Sequence, residues 1–325
     1  MKRIRLVCIL AVLSLGMGIL FSAGGSWAGY PEKEVTYIVV FGAGGGNDVI
    51  ARKICDVAKK YFPKPLVVVN RPGAGGSVGT VEIIQASPDG YTIGQSTMTP
   101  LTIQPHRLDL PYNTPDDYTP LVRIAGMAFF LEIKSDEPWK TLNDLVEYAR
   151  GKPGEIRVGH YGIGHLSHLI IEELESQAKI KLTTVPYRGG GDAVAALLGG
   201  HVEAIIGGPK EVLPYVKANK TRALAVCDQQ RHYLFPQVPT FKELGYDIDK
   251  ITYSVIIGPK GLPNNVILIL DDTFEKVSKD AEFVDFMKKK GMLIPFLNSK
   301  DVKKVLWQDY RWMDKVLDRL GLKKK

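Results

Sequence analysis

A glycine-rich turn after the first apolar run has the residue types best suited to bind a ligand. It is formed by six consecutive residues: Ala43, Gly44, Gly45, Gly46, Asn47 and Asp48. A β-branched strand pattern over residues 35–41 precedes it, and a helical pattern over residues 48–61 follows. N–H groups at a helix N-terminus lack intrahelical acceptors, and the aligned peptide dipoles favour negative charge there. The turn therefore predicts a site for a small anion.

The same turn is compatible with structural roles. Its glycines could serve only the tight packing of strand against helix. Asp48 is either an acid that stabilises the first turn of the helix or a residue that holds the ligand through water. The residues alone leave both alternatives open.

Two further glycine turns follow strand patterns at residues 156–159 and 183–187. Their candidate binding residues are Gly162, Gly164, His165, Ser167, Tyr187, Arg188, Gly189 and Gly190. In open α/β sheets, ligands bind at the carboxyl ends of the strands, so these turns predict a second binding surface. Arg188 is either a ligand contact or a solvated surface charge.

Three histidines near the second turn suggest a metal cluster at first sight. His165 and His168 are three residues apart and can share a helix face, with His160 close by. No carboxylate or cysteine completes a ligand set, so the sequence does not predict a metal site.

Two enzyme motifs match the chain only in part. A dinucleotide-binding fingerprint would need a glycine in place of Asn47 and an acid in place of Asn70. The run Gly75-Gly76-Ser77-Val78-Gly79 has the form of a nucleophile elbow. Residues 71–76 separate Ser77 from the preceding strand, however, and Ser77 suits a helix cap. An exported serine hydrolase using Ser77 is therefore the alternative function, and no catalysis is the prediction, because no matched acid–base pair accompanies the turns.

Strand and helix patterns alternate along the chain, which predicts an α/β fold with βαβ units and parallel sheets. Predicted strands span residues 35–41, 66–70, 91–96, 156–159, 183–187, 202–206 and 222–226. Predicted helices span residues 48–61, 77–86, 141–150, 168–177, 193–198 and 212–218, followed by a helical tail at 265–279, 281–290 and 300–320. Thr141 is predicted to cap the helix at 141–150. Residues 99–118 are rich in proline and polar side chains and predict an irregular segment.

The N-terminus has the pattern of a cleaved export signal. Basic residues precede an apolar stretch over residues 7–21 that is too short to span a membrane. The small residues Ser26 and Ala28 predict removal of residues 1–28 and a new N-terminus at Gly29. An uncleaved membrane anchor is the alternative.

Removal of the leader leaves 325 − 28 = 297 residues, a length that favours two domains, and lowers the formal charge from +7 to +4. The basic residues are scattered, and the lysine runs lack interleaved aromatic residues, so no nucleic-acid partner is predicted. Export permits a disulfide between Cys55 and Cys227, but two free buried thiols suit their apolar surroundings equally well.

Seven segments follow one another in a characteristic order: Tyr30-Pro31, VVFGAGGGNDVIAR, NRPGAGGSVGT, SPDGYTIG, VPYRGGGDAVAALLGG, RALAV and PQVPTFKELGY. In this order and spacing they resemble the Bug family, the extracytoplasmic solute-binding receptors of tripartite tricarboxylate transporters. The resemblance covers nearly the whole mature chain.

The resemblance implies a two-lobed periplasmic-binding-protein fold, with two sheets flanked by helices and a ligand cleft between the lobes. Lobe one would comprise residues 29–130 and 229–325, and lobe two residues 131–228. It also implies a monomeric, non-catalytic periplasmic receptor without a cofactor. The ligand would be a small carboxylate, such as a di- or tricarboxylate, an acidic amino acid or an aromatic acid, delivered to the membrane subunits of a tripartite tricarboxylate transporter.

Binding roles follow from the same resemblance. In the family, the first-lobe turn binds one carboxylate through backbone N–H groups and water, which assigns that role to residues 43–48. The turn that follows Tyr187 matches one of the two second-lobe turns. The other matches in part, because His165 follows Gly164 where a serine is common. Ser167, two residues later, is the alternative contact.

Overall fold

The computed structural model describes residues 29–324. The chain divides into two units, Met1–Glu32 and Lys33–Lys325, and both sheets lie in the second unit. The predicted signal peptide, residues 1–28, lies outside the described residues. Within residues 29–324, no helix combines the length and apolar character needed to cross a membrane.

Ten strands build the two sheets. Numbered along the chain, they are β1 (Val35–Val39), β2 (Leu66–Asn70), β3 (Thr92–Thr97), β4 (Tyr118–Met127), β5 (Phe129–Lys134), β6 (Arg157–His160), β7 (Thr183–Pro186), β8 (Ala204–Gly207), β9 (Thr221–Cys227) and β10 (Thr252–Pro259). The first sheet has the order β2-β1-β3-β10-β4, and the second has the order β7-β6-β8-β5-β9. Each sheet with its helices forms one lobe of a two-lobed α/β fold.

Both sheets are mixed: the parallel βαβ pairing predicted from the alternating pattern is present, and each sheet also contains one antiparallel strand between two neighbours. β1 is parallel to β2 and β3, and β6 is parallel to β7 and β8. β10 is antiparallel to both of its neighbours, and so is β5. β5 follows β4 after a single residue, and β10 is reached from β9, so each opposing strand comes directly from the other sheet. A parallel neighbour in the same sheet requires a crossover connection, usually a helix. These strands enter from the other sheet without one, so they run antiparallel to their new neighbours.

Nine helices are described. They are α1 (Gly46–Ala58), α2 (Ser77–Ile84), α3 (Leu142–Gly151), α4 (Leu166–Ala178), α5 (Gly190–Leu198), α6 (Pro209–Lys217), α7 (Asn264–Lys279), α8 (Ala281–Lys289) and α9 (Ser299–Arg319). Four of them, α1, α4, α5 and α6, begin two or three residues earlier than predicted. Their first turns therefore include residues of the glycine-rich segments.

The caps test two local predictions. Thr141 caps α3 as predicted, because its side chain accepts a hydrogen bond from Asp144 N and the Asp144 carboxylate accepts one from Thr141 N. Ser77 does not cap α2. Gly76 occupies the cap position, and Ser77 is the first residue inside the helix. Strands β4, β5 and β10 are absent from the predicted strands, and the predicted irregular segment contains short helical turns at Thr99–Ile103 and Gln104–His106.

One hydrophobic cluster extends through both lobes and holds the strands and helices in place. It includes Ile38 and Val40 from β1 and its following turn, together with Leu131 and Ile133 from β5. Both thiols among the described residues, Cys55 and Cys227, are buried and free. The chain therefore depends on apolar burial, and not on a disulfide, to connect its elements.

Candidate functional site

The turn between β1 and α1 exposes its main chain. Residues 42–46 are all exposed, and a Cβ atom placed at Gly42, Gly44 or Gly46 would meet no atom within 4 Å. Gly44 has a φ of +78°, a left-handed value that favours glycine. Main-chain atoms therefore face solvent with no side chain above them.

Asp48 braces this turn from inside the lobe. Its carboxylate accepts hydrogen bonds from Gly44 N at 2.8 Å, Arg52 Nε at 3.0 Å and Asn70 Nδ2 at 2.9 Å. Burial would raise the pKa of Asp48, but the hydrogen bonds from Arg52, Gly44 and Asn70 lower it below its usual value. Because Asp48 is only 2% exposed, the geometry favours the stabilising acid over a water-mediated ligand contact.

Three N–H groups at the start of α1 remain available. The Asp48 carboxylate accepts a hydrogen bond from the Gly44 N–H. Within residues 29–324, no group accepts a hydrogen bond from the main-chain N–H of Gly46, Asn47 or Asp48. Together with the helix dipole, these donors can bind an anion.

The Asn47 side chain adds a fourth donor. Its Oδ1 accepts hydrogen bonds from Ser254 Oγ at 3.2 Å and from Gln95 Nε2 at 3.4 Å. These contacts fix the amide, whose Nδ2 donates to no residue of the described chain. β3 and β10 thus orient a residue that the sequence placed only in the turn.

In the second lobe, His165 caps α4 at the end of the turn after β6. Its Nδ1 accepts a hydrogen bond from Ser167 N at 3.1 Å and lies 2.9 Å from Ser167 Oγ. Because Nδ1 is the acceptor, the neutral ring carries its proton on Nε2. Burial lowers the pKa of His165 to about 4, so the ring is neutral near pH 7. The ring packs against Phe129 and Tyr161.

Ser167 belongs to the interior of this turn. The side chain is fully buried, and its Oγ accepts a hydrogen bond from Tyr161 N at 3.0 Å. With its proton directed to His165, the hydroxyl has no free donor for a ligand. Of the two residues weighed from the sequence, His165 is the one placed at the cap, and Ser167 positions it.

The other two histidines also support the turn. The His160 and His168 rings lie 4.5 Å apart, and His168 Nδ1 accepts a hydrogen bond from Gly164 N at 3.3 Å. Burial and the neighbouring His168 lower the pKa of His160 to about 4. In the described part of the chain, no group of three or more His, Cys, Asp or Glu side chains could hold a metal ion.

The two second-lobe turns lie side by side. Tyr187 N donates to His160 O at 2.8 Å, and a Cβ at Gly162 would lie 3.9 Å from Tyr187 O. The Arg188 side chain is 94% exposed, and its Nε lies 3.1 Å from Asp192 Oδ2. Gly189 caps α5 in an extended conformation. Within residues 29–324, no hydrogen bond joins these turns to residues 43–48.

Two charged side chains at the second-lobe turns were missed by sequence reasoning. Glu211, in the first turn of α6, accepts a hydrogen bond from Tyr161 OH at 3.2 Å and packs against Gly190. Arg107, from the segment before β4, reaches the first of these turns: a Cβ at Gly164 would lie 2.8 Å from its Nη1. Neither residue belongs to a motif, so no local signal marked them.

Ser77 lacks the surroundings of a catalytic serine. It is 2% exposed, and no histidine or carboxylate among the described residues forms a hydrogen bond with its hydroxyl. A nucleophile needs both access to substrate and a base within hydrogen-bond reach.

Comparison with known proteins gives one family. Residues 50–322 match the model of the tripartite tricarboxylate transporter family receptor, TctC. The "UPF0065 protein in gbd 5'region" of Cupriavidus necator is 30% identical over 91% of this chain and 90% of its own. BugT of Bordetella pertussis is 29% identical over 90% of both chains.

Solved structures agree in fold. A TctC solute-binding protein from Polaromonas superposes with a TM-score of 0.82 at 29% identity, over 90% of this chain and 100% of the other. The periplasmic binding protein BugD superposes with a TM-score of 0.71 at 27% sequence identity, over 91% of this chain and 100% of the other. An R. palustris protein with bound malate superposes with a TM-score of 0.70 at 24% identity, over 89% of this chain and 100% of the other. A second R. palustris protein, with adipate, superposes with a TM-score of 0.74 at 24% identity, over 91% of this chain and 99% of the other. At that identity they show the shared fold alone.

Proposed function

The chain belongs to the tripartite tricarboxylate transporter receptor family, and we propose that it captures one small carboxylate in the cleft between its lobes. It would then deliver that ligand to the membrane subunits of a transporter. In this role it is a periplasmic, monomeric receptor without cofactor or catalysis.

The open start of α1 carries this proposal. The main-chain N–H groups of Gly46, Asn47 and Asp48 and the side-chain Nδ2 of Asn47 have no acceptor within the described residues, and no side chain covers the turn. The lobe's own acid, Asp48, is bound internally. A carboxylate fits this set because two oxygens can accept several N–H donors at a positive helix end.

In the second lobe, the proposed contacts are the main chain of Gly162, Gly164, Gly189 and Gly190, together with His165 Nε2–H and Tyr187. Arg188 is exposed and pairs with Asp192, so its side chain would contribute little. Ser167 acts indirectly, by holding His165. Arg107 is an additional cation at this surface, because it forms no ion pair within residues 29–324 and lies against Gly164.

Ligand capture would involve movement of the lobes. We assign residues 29–128 and 229–325 to lobe one and residues 129–228 to lobe two, because β5, which begins at Phe129, belongs to the second sheet. The chain passes between them beside Ala128 and again after Cys227. Two such passages allow a hinge rotation that brings residues 43–48 towards the second-lobe turns.

Processing at Ala28 would release the receptor, with Gly29 as its first residue. Mass analysis of protein from the periplasmic fraction checks this assignment. Retention of Met1 on that protein would contradict it.

A panel of ligands tests the function itself. Protein starting at Gly29 is titrated calorimetrically with malate, adipate, citrate, glutamate, benzoate and 4-aminobutanoate, with ATP as the anionic control. At least one carboxylate should bind while ATP does not, and a ligand present at about 100 times its Kd should stabilise the fold by about 2.7 kcal/mol. Binding of ATP without any carboxylate would defeat the proposal.

The same protein separates a receptor from the hydrolase alternative. An inhibitor that labels active serines should leave Ser77 unmodified, because its hydroxyl is buried and has no base beside it. Labelled Ser77 together with ester turnover would favour the hydrolase.

A further inference from the structure

Glu211 stands between the two second-lobe turns. It lies in the first turn of α6, directly after the loop that follows β8. Tyr161, from the first of those turns, donates to its Oε2 at 3.2 Å. Gly190, from the second, has room only for hydrogen on that side: a Cβ there would lie 2.5 Å from Glu211 Cδ and 2.6 Å from its Oε1.

The Tyr161 hydroxyl fixes the orientation of this carboxylate. Gly208 N donates to the Tyr161 oxygen at 2.8 Å. The hydroxyl proton is therefore free to point at Glu211. The Glu211 side chain is half-buried and held in place, and its Oε1 accepts no hydrogen bond from the described residues.

No cation neutralises Glu211. Within residues 29–324 it forms no ion pair, whereas other acids of the same lobe do: Asp192 pairs with Arg188, and Glu203 with Arg157. A second carboxylate, Glu132, lies behind it on β5, with its Oε2 3.6 Å from the Cβ position of Gly207. Because burial raises the pKa of Glu132 to about 7, the fixed negative charge between the turns is that of Glu211 beside Gly190, whereas the cation Arg107 lies against Gly164.

This negative charge determines which ligand group can bind at the N-terminus of α5. The N-terminus of a helix ordinarily favours an anion. Here Glu211 already places a carboxylate against Gly190, the first residue of α5. A second carboxylate from the ligand would approach a fixed like charge, which is a means of rejecting it.

We propose that Glu211 selects a ligand with a carboxylate at one end and an ammonium group at the other, and rejects the matching dicarboxylate. The carboxylate end binds the start of α1, and the ammonium end binds the free Oε1 of Glu211. This inference rests on the proposed function, since it assumes that the cleft binds a carboxylate.

Matched ligand pairs of equal length test the selection. Wild-type protein and Glu211→Gln are titrated with succinate and 4-aminobutanoate, glutarate and 5-aminopentanoate, and adipate and 6-aminohexanoate. Glutamine keeps one oxygen that can accept the Tyr161 hydrogen bond and replaces the other with an uncharged NH2 group. Glu147→Gln is the control, because Glu147 is an exposed acid on α3 of the same lobe that pairs with Arg150.

For wild type and Glu147→Gln, at least one amino acid should bind about tenfold or more tightly than its dicarboxylate partner. In Glu211→Gln that ratio should fall to about one or reverse, with the circular dichroism spectrum unchanged. Equal affinity of wild type and Glu211→Gln for the dicarboxylates would overturn the inference and leave the proposed function intact. If wild type bound neither member of any pair nor any acid of the panel, the proposed function would fail, and this inference with it.

Discussion

The two lobes contain buried carboxylates in opposite electrostatic situations. In lobe one, Asp48 accepts hydrogen bonds from Gly44, Arg52 and Asn70, and its pKa is lowered despite burial. In lobe two, Glu132 accepts a hydrogen bond from Thr221, while its Oε2 has no partner in the described chain.

The pKa of Glu132 responds accordingly. Burial raises it to about 7, opposed by the hydrogen bond from Thr221 and assisted by the charge of Glu211. Lobe one therefore compensates its own acid and leaves a helix N-terminus open to an external anion. In lobe two, neither Glu132 nor Glu211 forms an ion pair within the described residues. Under the proposed function, lobe one would supply general affinity for a carboxylate, and lobe two would discriminate between ligands.

The strongest challenge to this comparison is a side chain at the open turn. Gly46→Leu should abolish measurable binding, a loss of at least a hundredfold or about 3 kcal/mol, because leucine would cover the N–H donors. Gly46 has space for a Cβ and no left-handed φ, so the fold should persist. Gly45 suits the test less well, because its Cβ would lie 3.3 Å from Gly42 O.

Gly151→Leu is the matched control. Gly151 ends α3, and its Cβ position is equally open. Calorimetric titration with the best acid of the panel should give wild-type affinity for this variant. Tight binding by folded Gly46→Leu would place the carboxylate site elsewhere.

The second prediction concerns the stability of lobe two. Between pH 4.5 and 7, folded protein keeps a proton on Glu132 that the unfolded chain has lost, so wild type loses stability as the pH rises. Glu132→Gln has no such proton. Its free energy of unfolding relative to wild type should therefore increase by up to about 3 kcal/mol between pH 4.5 and 8, and should stay level above that.

Urea denaturation of both proteins at several pH values measures this difference. His160 and His165, whose pKa values burial lowers to about 4, change stability in the opposite direction between pH 4 and 6.5. They are common to both proteins, so subtraction removes their effect. A difference that stays constant across this range would show that Glu132 is already ionised in the folded state.

The smallest expected effect distinguishes two arginines. Arg107 has no ion-pair partner within residues 29–324 and lies against Gly164, so Arg107→Gln should weaken binding of a carboxylate about tenfold. Arg188 is exposed and already pairs with Asp192, so Arg188→Gln should change affinity less than about twofold. Calorimetry on both variants decides the order. The reverse result would restore the direct contact that the sequence assigns to Arg188 and make Arg107 structural.

Local features of the fold could be predicted from sequence, and they concern the backbone conformation of neighbouring residues. The β-branched run before α1 and the glycines after it predict a strand, a turn and a helix start, because these depend on neighbouring residues. Thr141 predicts a helix cap for the same reason, and the structure adds Asp144 as the second member of a capping box. The opposing directions of β5 and β10 could not be predicted, since they depend on which sheet a strand joins.

Only the tertiary structure decided which charged residues lie together at the site. Tyr161 and Glu211 are separated by 50 residues along the chain, and Arg107 and Gly164 by 57. No spacing rule connects such pairs, because they meet through the packing of separate elements. Sequence by itself determined that the chain would expose glycine turns at helix starts, since glycine and the helix dipole act locally. Folding decided that the negative charge of Asp48 is compensated by surrounding donors, including Arg52, and that the charge of Glu211 has no cation paired with it among the described residues. The energy of a charge depends on which donors surround it in space.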